Sequence, residues 1–489
     1  MRNIIYLSIL FLFSACSLSP DLKNIKPKFD ENIIMDKNST NSIEANISKQ
    51  WWKSFNDDKL NEIVDLALKN NTDLKITYIR LEQANAQLGI SFSDLLPKLD
   101  ASASAAREKS SINNPKNQSG KFIYGNDYKM GLNLSYEVDL WGKYRDNYKA
   151  SKAALKASQY DFETARLSLI SNVVKTYFNL ASSIKNINNL NQAYEASLKI
   201  YEDSKQKYEL GVINEYDLNQ AKISLNQTLS TLNQEKLNKE NYEKALKILA
   251  SNDLNDILYS DFINENYNTF KEYSSNLPNK IQSTILMQRP DIQSSLNTLM
   301  QKNYLIGVAR SAFLPSLSLN ALLGFESSNT SNLTKNNSGT WNIGANALMP
   351  IFHWGEIANQ VDIAKLTKDE AFLNYENTLK TAFSEIRFAF QQKIINQQQF
   401  ENDLDLLKAQ EKDYEFATIR YESGDFSFKD FLESKQNLMN ARVKYNNSMS
   451  SYASSIVDLV KAFGGGFNAN DNSRENIIQM KEILKETLN

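Results

Sequence analysis

Between Gly142 and Gly211 the chain runs for 68 residues without glycine or proline, and it does so for 68 more between Gly355 and Gly424. Those two residue types are the strongest helix breakers. At 1.5 Å rise per residue, each run makes a helix of about 100 Å, several times longer than an ordinary globular helix. Rods of that length must lie against other rods. The first run carries a heptad seam, Val173, Tyr177, Leu180, Ile184, Ile187, Asn191, Tyr194, Leu198 and Tyr201, stepping alternately by four and three. The second keeps part of it as Ile386, Phe390, Phe400, Leu407 and Tyr414, with Lys393 where Leu180 stood. A second breaker-free run follows each closing glycine, so the pattern predicts long antiparallel hairpins with helices at about 143–210, 212–250, 356–423 and 425–463.

A different period precedes the first rod. In "YKMGLNLSYEVDL" (128–140) every even position is apolar or aromatic, namely Tyr128, Met130, Leu132, Leu134, Tyr136, Val138 and Leu140. That alternation predicts a strand with one apolar face. Leu99, Ala101, Ala103 and Ala105 form a similar face, as do Leu317, Leu319, Ala321, Leu323 and Phe325. A fourth consists of Trp341, Ile343, Ala345, Ala347, Met349 and Ile351, with Pro350 marking an end or an edge. The expected strands lie at about 98–108, 127–140, 315–326 and 340–351. Helices near 58–94 and 280–312 run toward Pro97 and Pro315.

The chain is also a tandem duplication. "NNTDLKI" (70–76) answers to "QRPDIQS" (288–294) and "LLPKLDASAS" (95–104) to "FLPSLSLNAL" (313–322), both offset by 218. "LWGKYRD" (140–146) answers to "HWGEIAN" (353–359) and "KYELGVINEYDL" (207–218) to "RYESGDFSFKDF" (420–431), both offset by 213. The five-residue change falls in a loop between strands, where length varies cheaply. The repeats span 51–278 and 279–466, with a tail at 467–489. Strands of about 11 residues with aromatic ends suit an outer-membrane barrel, which makes Tyr128, Met130, Leu132, Leu134, Tyr136 and Val138 candidate lipid-facing residues. Four strands cannot close a barrel, since about eight is the minimum, so the strands must come from several chains.

Composition narrows the function. Lysine and arginine number 55 against 57 aspartates and glutamates, for a net charge of −2, so no basic excess points to nucleic acid. One histidine and one cysteine exclude a disulfide framework and a multi-Cys/His metal site. His353, in "PIFHWGE", reads as a strand-to-helix junction, and no nucleotide-binding or zinc-hydrolase motif is present. The expectation is a protein with no catalytic residues, no cofactor and no metal. "MRNIIYLSILFLFSAC" has the basic start and short apolar run of a signal peptide over 1–15. "FSAC" resembles the bacterial lipoprotein box, with Phe13 where leucine is usual, and marks Cys16 as the lipidation site. Residues 16–50 read as an extended tether.

From "WWKSFNDDKL" (51–60) to "KAFGGGF" (461–467) the sequence resembles the TolC-like outer-membrane efflux family, in its lipoprotein branch. The paired Trp51-Trp52, the duplicated "LP" strands, "PIFHWGE", the Y-x-x-G hairpins and the closing glycines carry the resemblance. Trp354-Gly355 stands where the family commonly has two glycines. The resemblance implies a mainly α chain with a small β part, and a homotrimer with a twelve-stranded barrel continuous with a periplasmic helical tunnel. It implies a duct in the outer membrane, docked onto a periplasmic adaptor and an inner-membrane transporter of the RND class, that passes drugs and amphiphiles without chemistry. Gly211, Gly424, Tyr208 and Tyr421 would form the adaptor-docking tips. Asp430 and Glu433, with Asp217 at the matching place in the first repeat, would ring the periplasmic gate. A type I protein-secretion tunnel and a periplasmic coiled-coil lipoprotein without a channel are the other classes compatible with the residues.

Overall fold

A computed structural model of the chain describes residues 17–21, 47–111, 123–252, 254, 286–467 and 474–488. The segment expected to be a signal peptide, Cys16 and most of the expected tether lie outside the described residues, as does the start of the helix expected at 280. Element order is α1 (Asp58–Asn70), α2 (Thr72–Ser93), β1 (Lys98–Ser110), β2 (Ile123–Val138), α3 (Lys143–Glu209) and α4 (Glu215–Ala250). The second repeat adds α5 (Pro290–Ser311), β3 (Ser316–Ser327), β4 (Gly339–Leu348), α6 (Glu356–Glu422), α7 (Phe428–Ala462) and α8 (Arg474–Leu488). The chain is therefore mainly α, and α3 and α6 are each single helices of 67 residues.

The helix expected over 58–94 is two helices. Asn71 interrupts it: its Oδ1 accepts from Leu74 N–H at 2.9 Å, and its Nδ2 donates to the Leu249 carbonyl at 2.9 Å. An asparagine that caps the next helix ends the previous one without glycine or proline. β4 stops at Leu348, so Met349 and Ile351 lie beyond the strand whose face they were expected to share. Pro350 has no N–H to continue a ladder. The expected tail contains α8, and residues 17–21 of the expected tether are held by hydrogen bonds.

Compactness cuts across the duplication. One unit comprises 1–27, 81–158 and 294–376, and the other 28–80, 159–293 and 377–489, so each draws on both repeats. The first unit holds one four-stranded antiparallel sheet in the order β1-β2-β3-β4. Its register aligns the apolar positions across all four strands. Ala101 pairs with Leu132, Leu132 with Leu323, and Leu323 with Trp341; Leu134 likewise pairs with Leu99 and Ala321. Apart from Leu322, mostly polar and small residues align on the opposite face, where Asn133 Nδ2 donates to Ser102 Oγ at 2.7 Å. A slip of one residue would exchange the two faces.

The second unit is a helical bundle. At one level Trp51, Trp52, Phe55, Tyr177 and Phe178 are buried around edge-to-face ring contacts, and Tyr177 Oη donates to Asp57 Oδ2 at 2.6 Å. Along α3 the buried face follows the expected seam to Leu180 and then shifts. Asn186, Leu190, Ala193, Ser197, Ile200 and Ser204 are buried, while Ile184, Ile187, Asn191, Tyr194, Leu198 and Tyr201 are half-buried. The 4-3 spacing survives on a neighbouring stripe. Small side chains let α4 and α7 approach closely, and larger ones are pushed to the flank. In α6, Ile386 and Phe400 are buried; Phe390, Leu407 and Tyr414 are half-buried.

Polar groups fix the register of α3 against α7. Lys175 Nζ pairs with Asp458 at 2.8 Å, Ser450 Oγ donates to Asn179 Oδ1 at 2.8 Å, Asn446 Nδ2 donates to Asn186 Oδ1 at 3.0 Å, and Asn186 Nδ2 donates to Asn447 Oδ1 at 2.7 Å. Asn186 and Asn446 are both buried. Asn186→Leu would leave the Asn446 amide without that partner inside the bundle, at a cost of about 1–3 kcal/mol. We expect a lower unfolding midpoint for the detergent-solubilised protein. The exposed-face substitution Asn188→Leu should leave it within about 0.5 kcal/mol of the parent.

Candidate functional site

The two helical hairpins are built alike. In the first, Gly211 has φ +69°, its N–H donates to the Tyr208 carbonyl at 3.0 Å, and Val212 N–H donates to the Lys207 carbonyl at 2.8 Å. In the second, Gly424 has φ +82°, its N–H donates to the Tyr421 carbonyl at 3.0 Å, and Asp425 N–H donates to the Arg420 carbonyl at 2.9 Å. These bonds end the long helix on a left-handed residue, a conformation that glycine adopts without a Cβ penalty. A Cβ at either glycine would meet nothing within 4 Å, so the backbone angle and not crowding selects glycine.

The returning helices are capped at matching positions. Asn214 Oδ1 accepts from Asp217 N–H at 2.9 Å, and Ser427 Oγ accepts from Asp430 N–H at 3.1 Å. Ser427 Oγ in turn donates to Asp430 Oδ2 at 2.6 Å. Asp217 and Asp430 are therefore the third residues after their caps, where a carboxylate also favours the positive end of the helix. "SFKD" (427–430) carries the Ser-x-x-Asp pattern of a capping motif, a signal that reading Asp430 only as half of an acidic pair passes over. Glu433 lies one turn on, exposed, with Lys429 Nζ at 3.6 Å. The two acids expected to act together thus each have a local partner, and all three carboxylates are exposed on one protomer.

The tips differ in their aromatic packing. Tyr421 stacks on Phe431 with centroids 4.9 Å apart and 13° between planes, and Tyr414 stacks on the same ring at 5.7 Å. Arg420 lies over Phe426 at 4.5 Å. Around the first tip Leu210, Val212 and Tyr216 are largely exposed, each at 67% or more, and Tyr208 is 41% exposed. The hairpins are joined through Ala196, Ile200, Ala221 and Leu432, and Gln436 Nε2 donates to Thr228 Oγ1 at 3.1 Å and Ser224 Oγ at 3.3 Å. Residues the sequence did not single out, Ser427, Lys429 and Phe431, thus shape the second tip.

The expected lipid-facing residues Tyr128, Met130, Leu132, Leu134, Tyr136 and Val138 occupy alternate positions of β2 and so share one face of the sheet. His353 is half-exposed, with Nδ1 3.6 Å from Glu356. Among the described residues no group of His, Cys, Asp and Glu could hold a metal ion, and no helix is long and apolar enough to cross a membrane.

Comparison with known proteins converges on one family. Residues 63–251 and 281–465 match the family described as outer membrane efflux protein, the two matched stretches following the two repeats. The crystal structure of the Campylobacter jejuni CmeC outer membrane channel superimposes with a TM-score of 0.86 at 52% identity, covering 97% of this chain and 100% of that one. The toluene efflux pump outer membrane protein TtgC of Pseudomonas putida is 28% identical over 471 residues, 94% of each chain. The cation efflux system protein CusC of Escherichia coli is 26% identical over 459 residues, 93% of this chain and 97% of that one. A mainly helical chain with one four-stranded antiparallel sheet is the fold that closes as a twelve-stranded barrel on trimerisation. The chain belongs to the outer membrane efflux protein family, a family of channels rather than enzymes, and serves as an outer-membrane efflux duct.

Proposed function

We propose that three copies of this chain form the exit duct of a tripartite pump, receiving cargo from an inner-membrane RND transporter through a periplasmic adaptor. The observation that carries the reading is the open sheet. One face is apolar across four strands, β1 and β4 are left as its edges, and four strands are too few to close. Three copies supply twelve strands, with β1 of one chain beside β4 of the next. The apolar face then meets lipid and the Asn133 face lines the lumen. Cys16, by its lipoprotein-like box, adds an acyl anchor to each chain.

The cargo is taken to be drugs and other amphiphiles. Among relatives of nearly equal identity, one is named for toluene and another for cations. Cargo choice therefore belongs to the pump and adaptor, and the duct contributes passage and gating. The hairpins around Gly211 and Gly424, with Tyr208 and Tyr421, form the periplasmic mouth and the adaptor-docking tips. Asp430 and Glu433, with Asp217, ring that mouth. Threefold symmetry gathers the carboxylates around one axis, where they attract cations and repel one another.

Two experiments test this reading. Leu134→Arg puts three charges on the lipid face and should cost about 2–4 kcal/mol per site near the midplane, whereas Asn133→Arg faces the lumen and should be tolerated. Equal yields of SDS-resistant trimer in outer membranes would overturn the register. In single-channel recordings, Asp430→Ala/Glu433→Ala should lower cation selectivity and weaken block by trivalent cations. Unchanged selectivity and block would put the constriction elsewhere.

A further inference from the structure

Asp146 lies in the first turn of α3 and is fully buried. A buried carboxylate needs partners. Lys149 Nζ supplies one at 3.3 Å, and the other comes from 129 residues away, where Ser17 Oγ lies 2.8 and 2.9 Å from the two carboxylate oxygens. The Ser17 hydroxyl has one proton and gives it to Asp146, so Ser19 Oγ, at 2.7 Å, donates to Ser17. Helix α5 holds the rest of the segment. Asn303 Nδ2 donates to the Pro20 carbonyl at 2.7 Å, and Arg310 Nη1 donates to the Leu18 carbonyl at 3.0 Å. Asn303, Gly307 and Arg310 stand at i, i+4 and i+7, one face of the helix.

Gly307 shapes the groove between them. Glycine inside a helix costs about 1 kcal/mol relative to alanine, so it calls for a packing reason. Here a Cβ would run into Asp146 Oδ2 and come within 2.8 Å of Ser19 N. The space a side chain would fill is taken by the segment and its buried acceptor.

The duplication provides an internal comparison. Offsets of 218 and 213 place Asn85, Gly89, Phe92 and Asn359 at the positions of Asn303, Gly307, Arg310 and Asp146. The asparagine and glycine recur, but the carboxylate and the guanidinium do not, and a Cβ at Gly89 would meet nothing within 4 Å. The Asn-x-x-x-Gly spacing occurs in both repeats, but the contacts that make the groove occur only at Gly307 among the described residues. Each chain has one N-terminal segment.

We infer that the groove of Asp146, Asn303, Gly307 and Arg310 is a receptor for the chain's own segment Ser17–Asp21, which fixes the point at which the lipid on Cys16 leaves the protein. The docking stands on the contacts above; its role in placing the lipid rests on the proposed acylation of Cys16. One peptide bond separates the acylated residue from Ser17, so a docked segment holds the anchor at a set place. A single acyl chain binds membranes only marginally, and a fixed position makes the three anchors act with the barrel instead of as loose tethers.

A nitroxide at Asp21→Cys in the purified trimer reads the docking, and mass spectrometry of the N-terminal peptide from the same sample reads acylation. The parent label should be immobilised. Ser17→Ala, which leaves the helix packing untouched, removes a hydrogen bond to a charged group, worth about 1.5–3 kcal/mol. It should raise the mobile fraction about tenfold or more. Gly307→Leu, which fills the groove, should do the same, with trimer yield recorded for both. A label equally mobile in the parent and in both variants, or immobile in all three, overturns the docking. An immobile parent label on a peptide without acyl groups upholds the docking and overturns the placement of the lipid. An acylated peptide with a mobile parent label does the reverse to the docking and leaves acylation standing.

Discussion

A backbone amide or carbonyl without a partner in the hydrocarbon of a membrane costs several kcal/mol, and that penalty governs this chain. Its sheet satisfies its own interior through three antiparallel ladders and leaves β1 and β4 as edges. In water, edges can be blunted by charge or proline. In lipid they have to be paired. A chain that commits two strands per repeat to a membrane therefore commits itself to copies of itself, and the apolar face that runs from Ala101 through Leu132 and Leu323 to Trp341 is usable only in that assembly.

The helices answer a different constraint. Rods of 67 residues pack along their length, and small or polar residues on the facing sides bring their axes close. The stretch of α3 past Leu180 uses alanine, serine and asparagine for this, and the asparagines also set the register against α7. Such contacts contribute less per residue than large apolar side chains would. Mismatched register leaves buried amides unpaired, so they specify one alignment. At the hairpins, two glycines with positive φ and two matched caps repeat one design, while the stacked Tyr414, Phe431 and Tyr421 distinguish the second tip from the first.

Much of this was legible in the residues because periodicity is a direct record of burial. Alternation identified the four strand faces, the missing breakers identified α3 and α6, and the duplication placed Gly211 against Gly424. The errors come from features that hydrophobicity does not encode. Asn71 divides a helix through a hydrogen bond to Leu249, a residue distant in sequence. The seam of α3 drifts because Asn186 and Ser197 are buried for their hydrogen bonds and their size. Met349 and Ile351 continue the alternation on paper, but Pro350 cannot continue the ladder. The acidic pair past the second hairpin was visible, yet its first member also serves the cap at Ser427. Docking of Ser17 on Asp146 joins residues 129 apart, and its traces in the sequence are a mid-helix glycine and a carboxylate and guanidinium that the other repeat lacks.

Neighbouring copies of the chain close the edges of the sheet, and the duct depends on that closure. Cysteine pairs test it most directly, with Ser102→Cys on β1 scanned against Asn342→Cys, Gly344→Cys and Asn346→Cys on β4, in outer membranes under mild oxidation. Disulfides form only when Cα atoms approach within about 7 Å. One register of the scan should give covalent dimers and trimers on a reducing-agent-sensitive ladder, with no higher species. Bonds formed only within one chain, or no bonds at any register, would contradict closure between copies.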